Sequence, residues 1–145
     1  MNVEPTLFVT LGTIKPYRFD SLVDAILESG LANDSTVWQL GCTARTNLPG
    51  RVFAEMSSAE FDAAARDAGV VVTHSGVGTI LRLLEMGIHP VVVPRIQSRA
   101  EHVDDHQLQI ASVIRQRDIG AVASPSEITA SLLVASSGYK VKEVK

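Results

Sequence analysis

The 145 residues, 46% of them apolar and 20% charged, have the length and balance of one ordered domain, not the low hydrophobicity and high net charge of a disordered chain. With 13 basic and 16 acidic side chains the formal charge is −3. Long like-sign blocks are absent, which argues against a general nucleic-acid surface and means that any bound anion is held locally. Cys42 is the single cysteine, so an internal disulfide and a cysteine-rich metal cage are excluded and a reducing cytoplasm is the expected setting.

The start, Met1 to Glu4, lacks the basic lead and apolar stretch of a signal peptide, and no apolar run approaches the roughly 20 residues of a bilayer span. Membrane contact is therefore expected to be peripheral or through a partner. Lys140, Lys142 and Lys145 in the tail read as a solvated terminus, with contact to anionic lipid as the alternative.

Apolar runs alternate with segments of helical period, the pattern of parallel strands joined by crossover helices, so the fold class expected is α/β, a Rossmann-like three-layer parallel sheet. Thr6 to Leu11 reads as the first strand and ends at Gly12-Thr13. A helix follows over Asp20 to Ser29, with Leu22, Val23, Ile26 and Leu27 on one stripe and Gly30 closing it. Thr36 to Leu40 and Arg51 to Ala54 read as strands around a loop that contains Pro49-Gly50. Ser57 with Glu60 forms a capping box, and Phe61, Ala64, Ala65 and Ala68 give the helix its packing face. Gly69 to Thr73 is the next strand, followed by a loop from His74 to Thr79 and a helix over Ile80 to Met86 that Gly87 stops. Pro90 to Pro94 is a buried strand. Asp104 or Asp105 caps a helix through Ile114, and a strand near Ala121 to Ala123 and a helix from Pro125 complete the domain.

Ligands of open parallel sheets bind outside the carboxyl ends of the strands, so the loops after Leu11, Thr73 and Pro94 are expected to converge on one crevice. The stretch Thr73-His-Ser-Gly-Val-Gly-Thr79 puts two glycines between a strand and a helix start, where unpaired N–H groups and the helix dipole favour an anion. Gly76 and Gly78 let the backbone approach a phosphate, Ser75 and Thr79 add hydroxyls, and Gly12 with Thr13 offers donors from the facing loop. A tight turn without ligand has the same spacing at both places. Gly76-Val-Gly78 also begins a dinucleotide fingerprint, but Leu81 stands where its third glycine or alanine belongs. Glu101-His-Val-Asp-Asp-His-Gln107 is dense in groups that can take sugar hydroxyl protons. Helix capping and solvated surface are the alternatives, and His102 with His106 has metal-ligand spacing but no third histidine or cysteine pair.

These blocks, Phe8-Val-Thr-Leu-Gly-Thr13, Val72 to Thr79, and Gly87 to Pro94 followed by Glu101 to Gln107-Leu, resemble the glycosyltransferase family 28 C-terminal domain, the donor half of the GT-B fold. The likeness spans nearly the whole chain. Val93-Pro-Arg95 and the last block look closest to small bacterial exopolysaccharide glycosyltransferase subunits, relatives of the soluble subunit of the dolichol-linked GlcNAc transferase.

The resemblance implies that residues 1–145 are the nucleotide-sugar domain of a split enzyme. It would move a hexose or N-acetylhexosamine from a UDP-sugar to a lipid-linked saccharide acceptor, with a membrane-anchored acceptor-binding subunit as partner, no nucleic acid and no obligatory metal or cofactor. Gly12, Thr13 and the loop His74, Ser75, Gly76, Gly78, Thr79 would hold the diphosphate, and Asp105 and Gln107 would face the sugar. His74, Glu101 and His102 are the candidate bases within the chain. Many such domains carry a ribose-binding glutamate three residues after the position of Thr79; here that residue is Arg82, and the nearest acid is Glu85. A non-catalytic nucleotide-sugar-binding regulator and a dinucleotide-dependent oxidoreductase are the competing readings.

Overall fold

The computed structural model describes residues 5–13, 16–96, 101 and 106–137. Short β-branched and aromatic runs form strands β1 (Leu7–Thr10), β2 (Val37–Gln39), β3 (Arg51–Phe53), β4 (Val70–His74), β5 (Val91–Val93) and β6 (Ala121–Val122). Segments with helical period form α1 (Asp20–Glu28), α2 (Ser58–Asp67), α3 (Val77–Glu85), α4 (His106–Arg117) and α5 (Ala130–Ser136). The strands make one parallel sheet in the order β3-β2-β1-β4-β5-β6.

Alternation along the strands divides the core into two layers. Leu7, Val9, Val70, Val72, Val91 and Val93 face one side, where they bury Leu22, Val23 and Ile26 of α1 and Leu133 of α5. Phe8 and Val71 face the other, against Phe61 and Ala65 of α2 and Leu83 of α3, and Val92 meets Ile80 of α3 with Ala111 and Ile114 of α4. Helices on both faces are the expected three-layer arrangement. The Phe8 and Phe61 rings meet edge to face, with centroids 5.2 Å apart.

The order of the sheet fixes where a ligand can sit. From β1 the chain builds outward to β3, then crosses back to place β4 on the other side of β1, so the loops leaving adjacent β1 and β4 part in opposite directions and open a crevice.

Several boundaries differ from expectation. Strand β4 continues to His74, and α3 begins at Val77, so Gly78 and Thr79 stand in the helix's first turn and not in a preceding loop. Gly76 supplies the extended N-cap backbone without a capping side chain, and burial of Ile80 and Leu83 holds the early start in place. Helix α4 runs on to Arg117; its expected caps Asp104 and Asp105 lie outside the described residues. The helix expected from Pro125 is a single 3-10 turn, Pro125–Glu127, closed by its own Ser124–Glu127 capping box, and α5 restarts from a Thr129 cap.

Candidate functional site

At the carboxyl edge of the sheet lies a cleft of about 540 Å³, lined by Gly12, Thr13, Gln39, Met56, Ser57, Ser58, Phe61, His74, Gly76, Gly78, Thr79 and Arg82. Its floor is the junction of β1 and β4, and its walls are the first turns of α2 and α3. The first N–H groups of α3 have no intrahelical acceptor, and Gly76 brings no capping side chain, so this end of the helix is open to an anion.

The glycines do different work. Gly12 takes φ +73°, and a Cβ there would lie 2.4 Å from Nε2 of His74; a Cβ on Gly76 would lie 2.4 Å from Cε1 of the same ring. The two glycines thus make room for the His74 imidazole, whereas the backbone of Gly76 was expected to make room for a phosphate. Gly78 is the one that opens outward: a Cβ built on it meets nothing within 4 Å.

His74 is buried, and its Nδ1 lies 3.3 Å from Nε2 of Gln107. The carboxamide orientation follows from its other contacts, because Oε1 of Gln107 accepts the backbone N–H of Ser75 at 3.2 Å and of Arg95 at 2.9 Å. The NH2 group therefore donates to Nδ1, which assigns the ring proton to Nε2. In that tautomer the Nδ1 lone pair is already engaged, and the ring presents an N–H on its Gly12 side. With Nδ1 engaged by Gln107 and Nε2 buried, the ring lacks the accessible lone pair that the general base expected of His74 would need.

Gln107 itself departs from the expected role of meeting sugar hydroxyls. Its side chain is buried and spans the loops after β4 and β5, and its backbone carbonyl takes the Ser75 hydroxyl at 2.8 Å. Ser75 is fully buried in that bond and does not line the cleft. Glu101 is also turned away. Its carboxylate accepts Ser21 Oγ of α1 through Oε2 and the backbone N–H of Ile96 through Oε1, at 3.2 Å, and it is not among the cleft residues. With both oxygens used inside the protein, Glu101 is a structural clamp and not the base it was expected to be. His102 and Asp105 lie outside the described residues.

Arg95, named above only as part of the Val93-Pro-Arg95 likeness and given no role at the site, is 1% exposed. Its guanidinium donates to the carbonyls of Leu11 at 2.7 Å, Tyr17 at 3.0 Å and Glu101 at 3.0 Å, and stacks 4.9 Å over the Phe19 ring. Burial lowers its pKa to about 10, offset by Cys42 and Glu101, so it stays charged at neutral pH. Arg95 and Gln107 together tie the loops after β1, β4 and β5 to one another.

The α2 side of the cleft was not expected either. Ser57 caps α2, with Glu60 closing the box, and Ser58 and Phe61 face the crevice. Gln39 ends β2 and is held by the Thr10 hydroxyl at 2.5 Å. Its place as the last residue of a strand beside β1 is the signal that would have found it. Among the described residues no group of three or more His, Cys, Asp or Glu is arranged to hold a metal, and no helix is long and apolar enough to cross a membrane.

A doubly wound parallel sheet with its crevice at the β1/β4 switch point defines a Rossmann-like fold class. Residues 46–136 match the glycosyltransferase family 28 C-terminal domain, and the chain belongs to that family. The family match begins after β2, so the Phe8–Thr13 block stands outside it. Among characterised proteins the chain is similar to the UDP-N-acetylglucosamine transferase subunit ALG13 of Yarrowia lipolytica (strain CLIB 122 / E 150), with 29% identity over 136 residues, covering 82% of this chain and 66% of that protein.

Among solved structures it resembles CalG4, the calicheamicin glycosyltransferase (TM-score 0.63, 16% identity, 92% of this chain and 34% of that one). It also resembles the glycosyltransferase SnogD from Streptomyces nogalater (TM-score 0.62, 22% identity, 95% of this chain and 36% of that one). The fold is thus that of part of a GT-B glycosyltransferase, and the chain spans about a third of the length of those two structures.

Proposed function

We propose that this chain is the donor-binding half of a split glycosyltransferase, which transfers a hexose or N-acetylhexosamine from a UDP-sugar to a lipid-linked saccharide. The observation that carries the reading is the cleft at the β1/β4 switch point, walled by the uncapped start of α3 with open space over Gly78, in a chain of this family. UDP-GlcNAc is the first donor to test, since the similar yeast protein is by name a subunit of a UDP-N-acetylglucosamine transferase.

As the glycosidic bond to the diphosphate breaks, negative charge grows on the leaving oxygens. The N–H groups of the first turn of α3 and the Thr79 hydroxyl are donors in place before the reaction, the arrangement that stabilises such charge most effectively. His74 and Glu101 are committed to internal contacts, so the base that deprotonates the acceptor is assigned to the partner or to His102. In this reading the partner is a membrane-associated subunit that presents the acceptor, and the chain works at the cytoplasmic face of the membrane through it.

Isothermal titration with UDP, UDP-GlcNAc, UDP-galactose and UDP-glucose, with NADH as control, tests the proposal. Saturable binding of UDP ligands, with one sugar preferred, supports it. Selective binding of NADH, or no UDP binding with or without the partner subunit, refutes it.

A further inference from the structure

Arg82 is the one charged side chain among the described residues that line the cleft. It sits one helical turn after Gly78, and side chains on a helix lean back over the preceding turn. The residue beneath that reach has no side chain, and the space above it is open. The guanidinium is not loose. Its Nε donates to Asp62 Oδ1 at 2.7 Å, Nη2 donates to the Ser58 carbonyl at 3.2 Å, and the group stacks 5.4 Å over the Phe61 ring. These three contacts come from α2 and fix the plane of the group, and they leave the Nη1 protons and the second proton of Nη2 outside these bonds on a residue that lines the cleft. A guanidinium offers only donors, in a rigid fork that matches phosphate oxygens. It cannot accept a hydroxyl proton as a carboxylate at this position would.

We propose that Arg82 is an anion anchor of the cleft, binding a phosphate oxygen of the nucleoside diphosphate, and that Asp62 is a positioning residue that aims it. This rests on the donor-site reading above. The consequence is a cleft whose preference among nucleotides is set by the phosphates more than by ribose hydroxyls held from α3.

The test compares UDP and uridine binding, by calorimetry for the tight ligand and NMR chemical-shift titration for the weak one, in the wild-type chain, Arg82→Met, Arg82→Lys and Asp62→Asn. Thermal melts confirm that each variant is folded, and Arg82→Lys serves if the methionine variant is not. Loss of one charge-assisted contact predicts that Arg82→Met weakens UDP by roughly tenfold or more and leaves uridine within about twofold. Arg82→Lys is expected to lose several-fold for UDP alone, because a point charge replaces the fork, and Asp62→Asn to lose less than Arg82→Met and for UDP only. Equal losses for UDP and uridine, or unchanged UDP affinity in both Arg82 variants, overturn the assignment while leaving the donor site standing. Failure of the wild-type chain to bind UDP, alone and with its partner subunit, overturns both.

Discussion

Replacing Gly78 with alanine separates stability from ligand binding at a single methyl group. The residue lies in the first turn of α3, its backbone does not need a positive φ, and a Cβ there meets nothing within 4 Å. Alanine is favoured over glycine in a helix by about 0.8–1.0 kcal/mol, a gain expected to be smaller this close to the helix start, so about 0.5 kcal/mol is the expected stabilisation. For a domain of this size that raises the melting temperature by roughly 1–2 °C. The same methyl enters the open space over the first turn of α3, where a diphosphate would need to approach the backbone within hydrogen-bond distance. UDP affinity is expected to fall by at least about tenfold, the loss of one charge-assisted contact. Differential scanning fluorimetry and calorimetry on the same preparation read the two effects. A variant that is more stable and binds UDP as tightly as wild type refutes the placement of the diphosphate over Gly78, and a variant that melts several degrees lower refutes the geometry of the helix start.

Other substitutions probe the supports of the site. Gly76→Ala is expected to behave oppositely to Gly78→Ala: its Cβ would press to 2.4 Å on the His74 ring, costing about 1–3 kcal/mol by overpacking, visible as a lower denaturation midpoint. Arg95→Met leaves the carbonyls of Leu11, Tyr17 and Glu101 without their donor; at about 1 kcal/mol each this predicts a loss near 3 kcal/mol and a melting point lower by about 10 °C. The Arg18 hydrogen bond holds the Asp20 carboxyl below its ordinary value of 3.8, with Arg45 assisting and burial opposing. Its contribution is therefore present above pH 3.8 and lost as pH falls through the folded value, so Asp20→Asn flattens that part of the acid unfolding curve.

The parts of the fold legible in the sequence were those with local causes. The Ser57–Glu60 box appears as read, because both of its hydrogen bonds are made within four residues. The alternation of apolar runs with helical segments led to the three-layer sheet. By contrast, the start of α3 was read late because Gly78 looked like loop, when packing of Ile80 and Leu83 against the sheet outweighs glycine's poor propensity. The loops after Leu11 and Thr73 line the cleft, whereas no described residue of the loop after Pro94 does, and the direction of the side chains was not legible in the spacing. Glu101 and Gln107 have the chemistry of sugar recognition, yet their polar atoms go to groups that the folded chain brings near: the Ser21 hydroxyl, eighty residues away, for Glu101, and the backbone N–H groups of Ser75 and Arg95 for Gln107. Arg95 was hidden for the same reason, since its partners Leu11 and Tyr17 are about eighty residues away in sequence.

The internal ties also bear on what this domain can do without a second subunit. Loops after three strands are cross-linked from within, by Arg95 to the end of β1 and by Gln107 to the end of β4, and α2 and α3 are joined by the Asp62–Arg82 pair. A site held this way is already organised before any partner docks, so little of the binding energy of a nucleotide goes into ordering these walls. Under the split-enzyme proposal, the partner is then expected to supply the acceptor and the turnover, not the nucleotide site. UDP affinity measured with and without the partner subunit is expected to differ by less than about tenfold, or about 1.4 kcal/mol, while sugar transfer requires both. A gain of a hundredfold or more in UDP affinity on adding the partner would show that the nucleotide site is completed across the interface and that the network around Gln107 and Arg95 does not preform it.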